Sequence, residues 1–256
     1  MVPMWGMRPL RFHGGVGPWH KDCVKFPVDL TWRVRSRMIW YHITLSRAAM
    51  PLPHHPAIAC APCEAVLAQI HHSAVQLALW QRARPMALNW LDEVDLAALD
   101  DIDCWIDAPF RAQDLGQRLR EAGFAALPGT VALAVEIARQ MRRFAALTDS
   151  LRLRLRLDVV ETDACRRFHM DYVSVRLLMP LVGPGTQWIM ANEGPEGPVR
   201  EMQPGQVGLF KGRLAVAEPA VLHRSPPIAG TGQRRLLLVL DPSADEVGDQ
   251  SCGRAA

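Results

Sequence analysis

The sequence predicts an α+β protein in which a helical N-terminal layer precedes an antiparallel β-barrel or jelly roll. The first observation is that the period of the apolar residues changes from about 3.6 to about 2 near residue 150. The second is that the chain beyond this point consists of short apolar runs separated by Gly and Pro turns, as in antiparallel sheets. The third is the composition, since 49% apolar and 21% charged residues among 256 are typical of a globular chain with a sizeable core.

The predicted helical layer extends from about residue 64 to about residue 149. Residues 75–80 alternate in part and are interpreted as a strand, although a helix continuing from Ala65 also fits. Residues 112–122 have a helical composition and are followed by Gly123, a typical stop signal. After a turn at residues 128–129, four apolar residues recur at helical spacing: Leu133, Ile137, Met141 and Phe144.

The predicted strands begin with residues 151–157, where four leucines alternate strictly with three arginines. Such alternation indicates a half-buried strand, and we interpret the arginine row as its solvated face. Further strands are predicted at residues 172–182, 187–191, 207–211 and 234–241. The β-barrel is therefore expected to span residues 151–242.

Charge divides the chain into a tail and a body. Residues 1–56 contain eight basic and two acidic residues, whereas the remainder contains 21 basic and 24 acidic residues. We expect residues 1–56 to be a poorly ordered basic tail, or sequence upstream of a true start at Met38 or Met50. Residues 57–245 are expected to form one globular domain, and residues 246–256 a disordered C-terminal tail. Because the body is mildly acidic, no nucleic-acid partner is expected.

Several classes of function are disfavoured by what the sequence lacks. Six cysteines in a chain of this length do not make a disulfide framework, which indicates a reducing, cytoplasmic compartment. No run of eighteen apolar residues occurs, so no membrane partner is expected. No Walker loop and no Gly-x-Ser-x-Gly elbow occurs, which disfavours nucleotide and α/β-hydrolase chemistry. The expected partner is a small molecule or another substrate that the sequence does not identify, and no oligomeric state is predicted.

The β-rich half contains a pattern typical of a metal site. His169 and His223 are the only histidines between residues 73 and 256, and they are 54 positions apart. His169 and Asp171 point to the same face if they lie on a strand. Two imidazoles and one carboxylate occupy one face of an octahedral metal and leave open positions, as in non-haem Fe(II) oxygenases. The predicted ligands are therefore His169, Asp171 and His223, with Fe(II) or zinc as the metal.

An arginine near the predicted metal is the candidate for binding a keto acid such as 2-oxoglutarate. Arg234 and Arg235 follow His223 by 11 and 12 positions and open a strand. A planar guanidinium there could pair with the far carboxylate of the keto acid in a two-point contact. Successive strand residues face opposite ways, so only one of the two should matter, and the sequence leaves the choice open. Further candidates for the pocket are Cys165, Arg176, Gln187, Trp188, Lys211, Arg224 and Ser225.

A second group of potential ligands lies earlier in the chain. The pairs His54-His55, Cys60/Cys63 and His71-His72 supply enough donors for a tetrahedral zinc ion. Their spacing fits no standard zinc finger, so we interpret them as ordinary surface and core residues.

The order of His-x-Asp, His and Arg resembles that of the Fe(II)/2-oxoglutarate dioxygenases, whose metal lies inside a cupin-like double-stranded β-helix. Longer blocks resemble an uncharacterised bacterial family, domain of unknown function 1826, over about residues 74–242. The blocks are residues 77–82, 164–171, 176–178, 183–188, 210–212, 223–226 and 235–241. The sequence departs from that family at residues 179–181, Met-Pro-Leu, where such proteins tend to have Thr-Tyr. The resemblance also implies a link to zinc homeostasis.

Three functions of different classes fit these observations. The first is an Fe(II)/2-oxoglutarate-dependent oxygenase of undetermined substrate. The second is a non-catalytic metal- or small-ligand-binding cupin-like barrel linked to zinc homeostasis. The third is a structural or interaction protein in which the motif residues only pack.

Overall fold

Ten β-strands and two α-helices form the part of the chain that the computed structural model describes, residues 55–124, 129–163, 165–194 and 196–243. The strands are β1 Ile58–Ala61, β2 Leu77–Trp80, β3 Ile102–Asp107, β4 Arg152–Val160, β5 Val175–Val182, β6 Gln187–Met190, β7 Arg200–Glu201, β8 Val207–Lys211, β9 Val221–Arg224 and β10 Arg235–Pro242. The α-helices are α1 Ala112–Glu121 and α2 Thr130–Thr148. Short 3₁₀ helices span Glu64–His71, Met86–Glu93, Leu96–Ala98 and Ala191–Glu193. The predicted tails, residues 1–56 and 246–256, lie outside the described residues apart from residues 55 and 56.

Strand β4 shows how the leucine–arginine alternation builds the sheet. Its buried leucines, which pack in the same core as α2, are Leu153, Leu155 and Leu157. Leu151 precedes the strand and is 71% exposed, so the apolar face has three leucines rather than the predicted four. Arg156 departs from the predicted solvated face, because its side chain is only 25% exposed and lines a cavity.

The large sheet has seven strands in the order β1-β2-β8-β5-β10-β4-β3. Strands β1 and β2 pair in parallel, and the other neighbours pair antiparallel. The four apolar residues predicted at helical spacing in α2 are all buried in the core that this sheet shares with the helices. Neither α-helix of the described residues is long and apolar enough to cross a membrane.

The prediction of a helical N-terminal layer is not confirmed. Before residue 112 the described chain forms β1, β2 and β3, which extend the large sheet at both of its edges. Strand β2 lies within the predicted strand at residues 75–80 and pairs with β8, whereas β3 pairs with β4. These strands are completed by partners far along the chain, and local periodicity does not reveal such pairing.

A second, smaller sheet consists of β7, β6 and β9, and residue His169 pairs with its β9 edge. Apolar side chains from both sheets pack together in the space between them: Leu178, Phe210, Leu237, Val239, Trp188 and Met190. From β5 onward the chain crosses repeatedly between the sheets, because β5, β8 and β10 are in the large sheet and β6, β7 and β9 are in the small one. Within the described residues the two sheets stay separate, so the predicted closed barrel is corrected to a two-sheet, mixed α/β arrangement.

Candidate metal centre

Two histidines that are distant in sequence are brought together by backbone pairing. The N–H of His169 donates to the carbonyl of His223 at 2.9 Å, and the N–H of His223 donates to the carbonyl of His169 at 3.0 Å. Residues paired in this way project their side chains from the same face of a sheet. The imidazole centres are accordingly 4.8 Å apart, and His223 contacts the ring of Phe210 from the large sheet. Both rings therefore lie on the side of the small sheet that faces the large one.

Asp171 completes the cluster from the segment that follows His169. Its Oδ1 lies 3.5 Å from His169 Nε2, and its Oδ2 lies 3.0 Å from His223 Nε2. The Arg213 N–H donates to the Asp171 carbonyl at 2.9 Å, which ties this segment to the end of β8. A Cβ at Gly212 would lie 2.7 Å from the same carbonyl oxygen. Glycine at this position therefore allows the close approach that positions Asp171.

The hydrogen bonding of the cluster leaves lone pairs facing one another. His169 Nδ1 lies 2.8 Å from the carbonyl oxygen of Arg167. A carbonyl can only accept, so Nδ1 carries the hydrogen, and the lone pair of the neutral ring is on Nε2, which faces Asp171. Asp171 Oδ2 is buried and has no hydrogen-bond partner among the described residues, despite its proximity to His223 Nε2. A cation at the centre of the cluster would satisfy the lone pairs of His169 Nε2 and Asp171 Oδ2 together.

The protonation states of the cluster follow from burial and contact. Burial alone would raise the pKa of Asp171, but its contacts with His169, His223 and Arg176 outweigh burial and hold this pKa well below its usual range. The contact with Asp171 raises the pKa of His169, against a smaller opposing effect of burial. At neutral pH the carboxylate is therefore ionised, and a metal would compete with a proton for His169.

The donor set fits a divalent transition metal. Two ligand atoms about 2.1 Å from a metal and about 90° apart lie about 3.0 Å from each other. The distance between Asp171 Oδ2 and His223 Nε2 is 3.0 Å. One ligand atom from each of the three residues lies within 4.8 Å of the other two. Two imidazoles and one carboxylate suit both Fe(II) and zinc, so the geometry does not choose between them.

Arg176 links the Asp171 carboxylate to a second buried carboxylate. Its Nε and Nη2 donate to Asp241 at 2.6 and 2.8 Å, and its Nη1 lies 2.6 Å from Asp171 Oδ1. The Arg176 side chain is 17% exposed and that of Asp241 is 8% exposed. Because the guanidinium occupies Oδ1 of Asp171, the oxygen that is left for a metal is Oδ2.

The two arginines at the start of β10 have very different surroundings. Arg234 is partly exposed and pairs with Glu161 at 3.0 Å. Arg235 is fully buried, donates one hydrogen bond to Thr186 Oγ1 at 3.2 Å, and leaves its Nε and Nη1 without partners among the described residues. Burial lowers the pKa of Arg235 to about 10, so the group remains charged at neutral pH. Thr186 lines the same cavity as the metal cluster, so the Arg235 guanidinium lies one hydrogen bond behind the wall of that cavity.

The cluster lines a cavity of about 330 Å³. Four of the pocket residues predicted from the sequence also line it: Cys165, Arg176, Arg224 and Ser225. Arg224 in addition stacks on Phe168, with its guanidinium carbon 4.3 Å from the ring centre. The apolar part of the wall consists of Leu178, Leu237, Val239, Val159 and Val160.

Three predicted pocket residues lie elsewhere. Trp188 pairs with His223 but is fully buried in the core between the sheets. Gln187 accepts a hydrogen bond from Arg224 Nε at 2.9 Å and donates one to Glu201. Lys211 donates to the carbonyl of His72 at 2.8 Å and lines a different cavity. Strand alternation accounts for Lys211, because its neighbour Phe210 takes the face that contacts His223.

Sequence reasoning missed part of the cavity wall and the partner of Arg176. Asp158 and Asp241 were not singled out, and Arg156 was assigned to a solvated face. The usable signal was the alternation of β4, which continues through Asp158 and places it on the arginine face. That this end of the face borders a cavity depends on the small sheet, which the alternation does not reveal.

The earlier histidine and cysteine pairs do not converge on one point within the described residues. Cys60 is half-buried, and burial raises its pKa to about 11, which keeps the thiol protonated at neutral pH. Cys63 is exposed. His54 lies outside the described residues.

Residues 61–241 match the protein family described as "Protein of unknown function (DUF1826)". The match covers most of the chain and includes all three members of the metal cluster as well as Arg234 and Arg235. The chain belongs to the DUF1826 family. The resemblance seen in the sequence blocks is thereby confirmed. A comparison of the DUF1826 chain with curated proteins finds no match.

Solved structures similar to the DUF1826 chain include three oxygenases. A prolyl-4-hydroxylase from Pseudomonas putida is 17% identical, with 70% of this chain and 96% of the hydroxylase covered and a TM-score of 0.38. The dioxygenase for auxin oxidation 1 from Arabidopsis thaliana, in complex with 2-oxoglutarate, is 14% identical, with coverages of 63% and 74% and a TM-score of 0.36. The rice dioxygenase for auxin oxidation is 14% identical, with coverages of 66% and 74% and a TM-score of 0.38. Overlaps of this size do not establish a common fold.

Proposed function

We propose that this DUF1826 protein is an Fe(II)- and 2-oxoglutarate-dependent oxygenase that acts on a small molecule. The observation that carries the proposal is a cluster of two histidines and one carboxylate in a cavity, next to a buried arginine with two unused donors. The cluster supplies a metal site with open positions. The arginine supplies a partner for an anion that enters the same cavity.

The course of the chain supports the same proposal. From β5 to β10 the chain crosses repeatedly between two sheets that pack face to face, as it does in a jelly roll or double-stranded β-helix. The metal cluster lies between these sheets, where the side chains of His223 and Asp171 are 8% and 14% exposed. Burial of this degree strengthens the electrostatic interactions that hold charged ligands.

In this proposal His169, Asp171 and His223 hold the iron. Bound Fe(II), together with 2-oxoglutarate and oxygen, supplies the oxidising chemistry. Arg235 binds the far carboxylate of 2-oxoglutarate through its unused Nε and Nη1 donors, and Thr186 fixes the orientation of the guanidinium. Arg176 holds Oδ1 of Asp171, so that Oδ2 remains directed to the metal position.

A second candidate is a non-catalytic zinc-binding protein linked to zinc homeostasis. The observation that favours it is the donor set itself, because two histidines and one carboxylate also form zinc sites. This candidate gives no role to the unsatisfied donors of Arg235. We therefore prefer the oxygenase.

The experiment that tests the proposal uses full-length protein purified without a histidine tag. Anaerobic addition of 2-oxoglutarate to the Fe(II)-loaded protein should produce a weak visible charge-transfer band, and later admission of oxygen should produce succinate. His223→Ala should lose the metal and the band, whereas His71→Ala, which changes an exposed histidine away from the cavity, should retain both. Stoichiometric zinc that iron does not replace, with no band, would contradict the oxygenase and favour the zinc-binding protein.

A further inference from the structure

Arg156 and Asp158 stand two positions apart on β4 and therefore on the same face of the strand. Both line the cavity that contains the metal cluster. Their side chains are 25% and 24% exposed, so each side chain as a whole is largely withdrawn from water. Charged groups in such positions are normally paired by hydrogen bonds.

This pair is instead poorly satisfied. Arg156 Nη1 lies 3.5 Å from Asp158 Oδ2, and Arg156 Nη2 lies 4.0 Å from Asp241 Oδ2. Neither side chain makes a hydrogen bond with any described residue, and Arg156 Nε is buried without a partner. A guanidinium has five donors and a carboxylate has about four acceptor positions, so the pair offers a large unused capacity for binding.

The neighbouring arginine on the same face shows that β4 can satisfy such a group when no cavity is present. Arg154 donates two hydrogen bonds to Asp103 on β3, at 2.8 and 2.6 Å. The difference between Arg154 and Arg156 thus coincides with the boundary of the cavity. Arg152, on the same face, is also loosely paired, 3.4 Å from Asp107, but it is 51% exposed and open to water, whereas Arg156 faces the cavity.

Most of the other charged residues of the cavity have hydrogen-bonded partners or proposed ligands. Asp101 Oδ1 accepts a hydrogen bond from the N–H of Val159 at 2.6 Å, and Arg224 donates from Nε to Gln187 and stacks on Phe168. Arg176 is bound to Asp241 and contacts Asp171. If the proposed function is correct, Asp171 binds the metal and Arg235 binds the keto acid. Arg156 and Asp158 then remain as one positive and one negative group for the second substrate.

We propose that Arg156 and Asp158 recognise a small zwitterion of the α-amino-acid type as the substrate to be oxidised, an inference that rests on the proposed function. The guanidinium of Arg156 binds the carboxylate of the substrate in a two-point contact. The carboxylate of Asp158 accepts hydrogen bonds from its ammonium group. The side chain of the substrate lies along the apolar wall formed by Leu237 and Val239, toward the metal cluster. Both ions exchange a loose mutual contact for hydrogen-bonded partners.

The inference is tested by titration calorimetry with full-length protein loaded with zinc and 2-oxoglutarate. The probes are the twenty standard L-amino acids, each added separately, followed by the N-acetyl and carboxamide derivatives of the tightest binder. We expect at least one amino acid to bind, and removal of either of its charges to weaken binding by at least about tenfold. Arg156→Gln and Asp158→Asn should weaken binding of the same amino acid by at least about tenfold.

Arg154→Gln is the matched control, since it removes a more exposed arginine from the same face of the same strand and should leave amino-acid binding unchanged. Arg156→Lys retains the charge but lacks the planar guanidinium. Its affinity for the amino acid should lie between those of Arg156→Gln and the unchanged protein. Circular dichroism establishes that each variant is folded before it is titrated. If no standard amino acid binds at millimolar concentration, or if Arg156→Gln and Asp158→Asn bind the amino acid as the unchanged protein does, the inference is overturned.

A separate readout distinguishes this inference from the proposed function. The visible band of the Fe(II) form reports 2-oxoglutarate binding and does not require an amino acid. If the band forms but no amino acid binds, or if amino-acid binding is the same in the variants, the inference is wrong and the oxygenase proposal is retained. Amino-acid binding that depends on Arg156 and Asp158, without any band, removes the oxygenase and assigns the zwitterion to a ligand-binding protein.

Discussion

Arg176 forms a two-point hydrogen-bonded contact with Asp241, at 2.6 and 2.8 Å, across the adjacent strands β5 and β10. The third nitrogen of the same guanidinium lies 2.6 Å from Asp171 Oδ1. One cation therefore compensates two carboxylates in a region that is largely closed to water. The position of the candidate metal ligand Asp171 therefore depends on this contact as well as on the backbone contact of its segment with Arg213.

The first prediction concerns stability. Arg176→Gln leaves two buried carboxylates without a cation and should lower the free energy of unfolding of the metal-free protein by about 3–5 kcal/mol. Added zinc should recover part of the loss, because the metal is a new partner for Asp171. Urea denaturation with and without zinc measures both effects. Arg154→Gln is the control, since it removes a similar but more exposed two-point pair and should cost no more than about 1 kcal/mol. Equal losses in the two variants would contradict the role given to Arg176.

The second prediction separates the two arginines of β10. Arg235→Gln should weaken 2-oxoglutarate binding by about 2–5 kcal/mol, because the carboxylate of the keto acid loses its buried partner. Arg234→Gln should have no effect, since Arg234 pairs with Glu161 at the surface. Titration of the anaerobic Fe(II) form, followed by the visible band, gives both affinities, and metal analysis should show unchanged iron in each. An effect of Arg234→Gln alone would mean that the strand faces the other way.

The third prediction concerns the glycine that supports Asp171. A Cβ at position 212 would lie 2.1 Å from the carbonyl oxygen of Val173 and 2.7 Å from that of Asp171, so Gly212→Ala must displace this segment. Overpacking of this kind costs about 1–3 kcal/mol, and the displaced carboxylate should bind zinc at least about tenfold more weakly. In Gly116→Ala the nearest atom is 3.6 Å away, at the end of the Arg120 side chain, so this variant should bind zinc normally. Competition with a chromophoric chelator measures the affinities, and unchanged zinc affinity in Gly212→Ala would refute the prediction.

The fourth prediction concerns pH. The contact with Asp171 raises the pKa of His169 above its ordinary value of about 6.5, and metal binding requires the neutral ring. Zinc affinity should therefore increase with pH, by about tenfold per unit below the raised pKa, and should level off above it. In the metal-free protein the sign is opposite: the ion pair of His169 with Asp171 stabilises the fold at low pH, and this contribution is lost as pH rises through the raised pKa. Calorimetry in buffers of different ionisation enthalpy counts the protons that zinc binding releases. A zinc affinity that does not change between about pH 6 and 8 would contradict this protonation scheme.

The sequence predicted those features that depend on local pattern. The alternation of β4, the apolar stripe of α2 and the spacing of His169 and Asp171 are readable because each relies on neighbours within a few residues. His223 was selected for a different reason, as the one other histidine between residues 73 and 256. Whether Arg234 or Arg235 faces inward was not readable. Strand β10 pairs on both sides, and its register with β5 shifts between Leu236 and Leu237, next to the two arginines. Which of two successive residues faces inward at that point depends on the pairing with the neighbouring strands and not on the sequence of β10 itself.

Strand β1 and the cavity wall escaped prediction for a related reason. Strand β1 has four residues, too few for a period to be recognised, and it acquires its identity from pairing with β2. Strand β2 lies within the strand predicted at residues 75–80, where the sequence also left a helix open. Arg156 and Arg154 look alike in the sequence, and only the location of the small sheet makes one a cavity residue.

The place of β10 in the large sheet has a consequence for synthesis on the ribosome. It is the final strand of the described chain, yet it lies in the middle of the sheet, between β5 and β4. A nascent chain that ends before Arg235 has already made His169, Asp171 and His223, but β4 and β5 still lack the strand that joins them. Nearly the whole domain must therefore leave the exit tunnel before the sheet can close. Messages truncated before β10 yield chains in which β4 and β5 have unpaired apolar edges, and such chains are substrates for proteases.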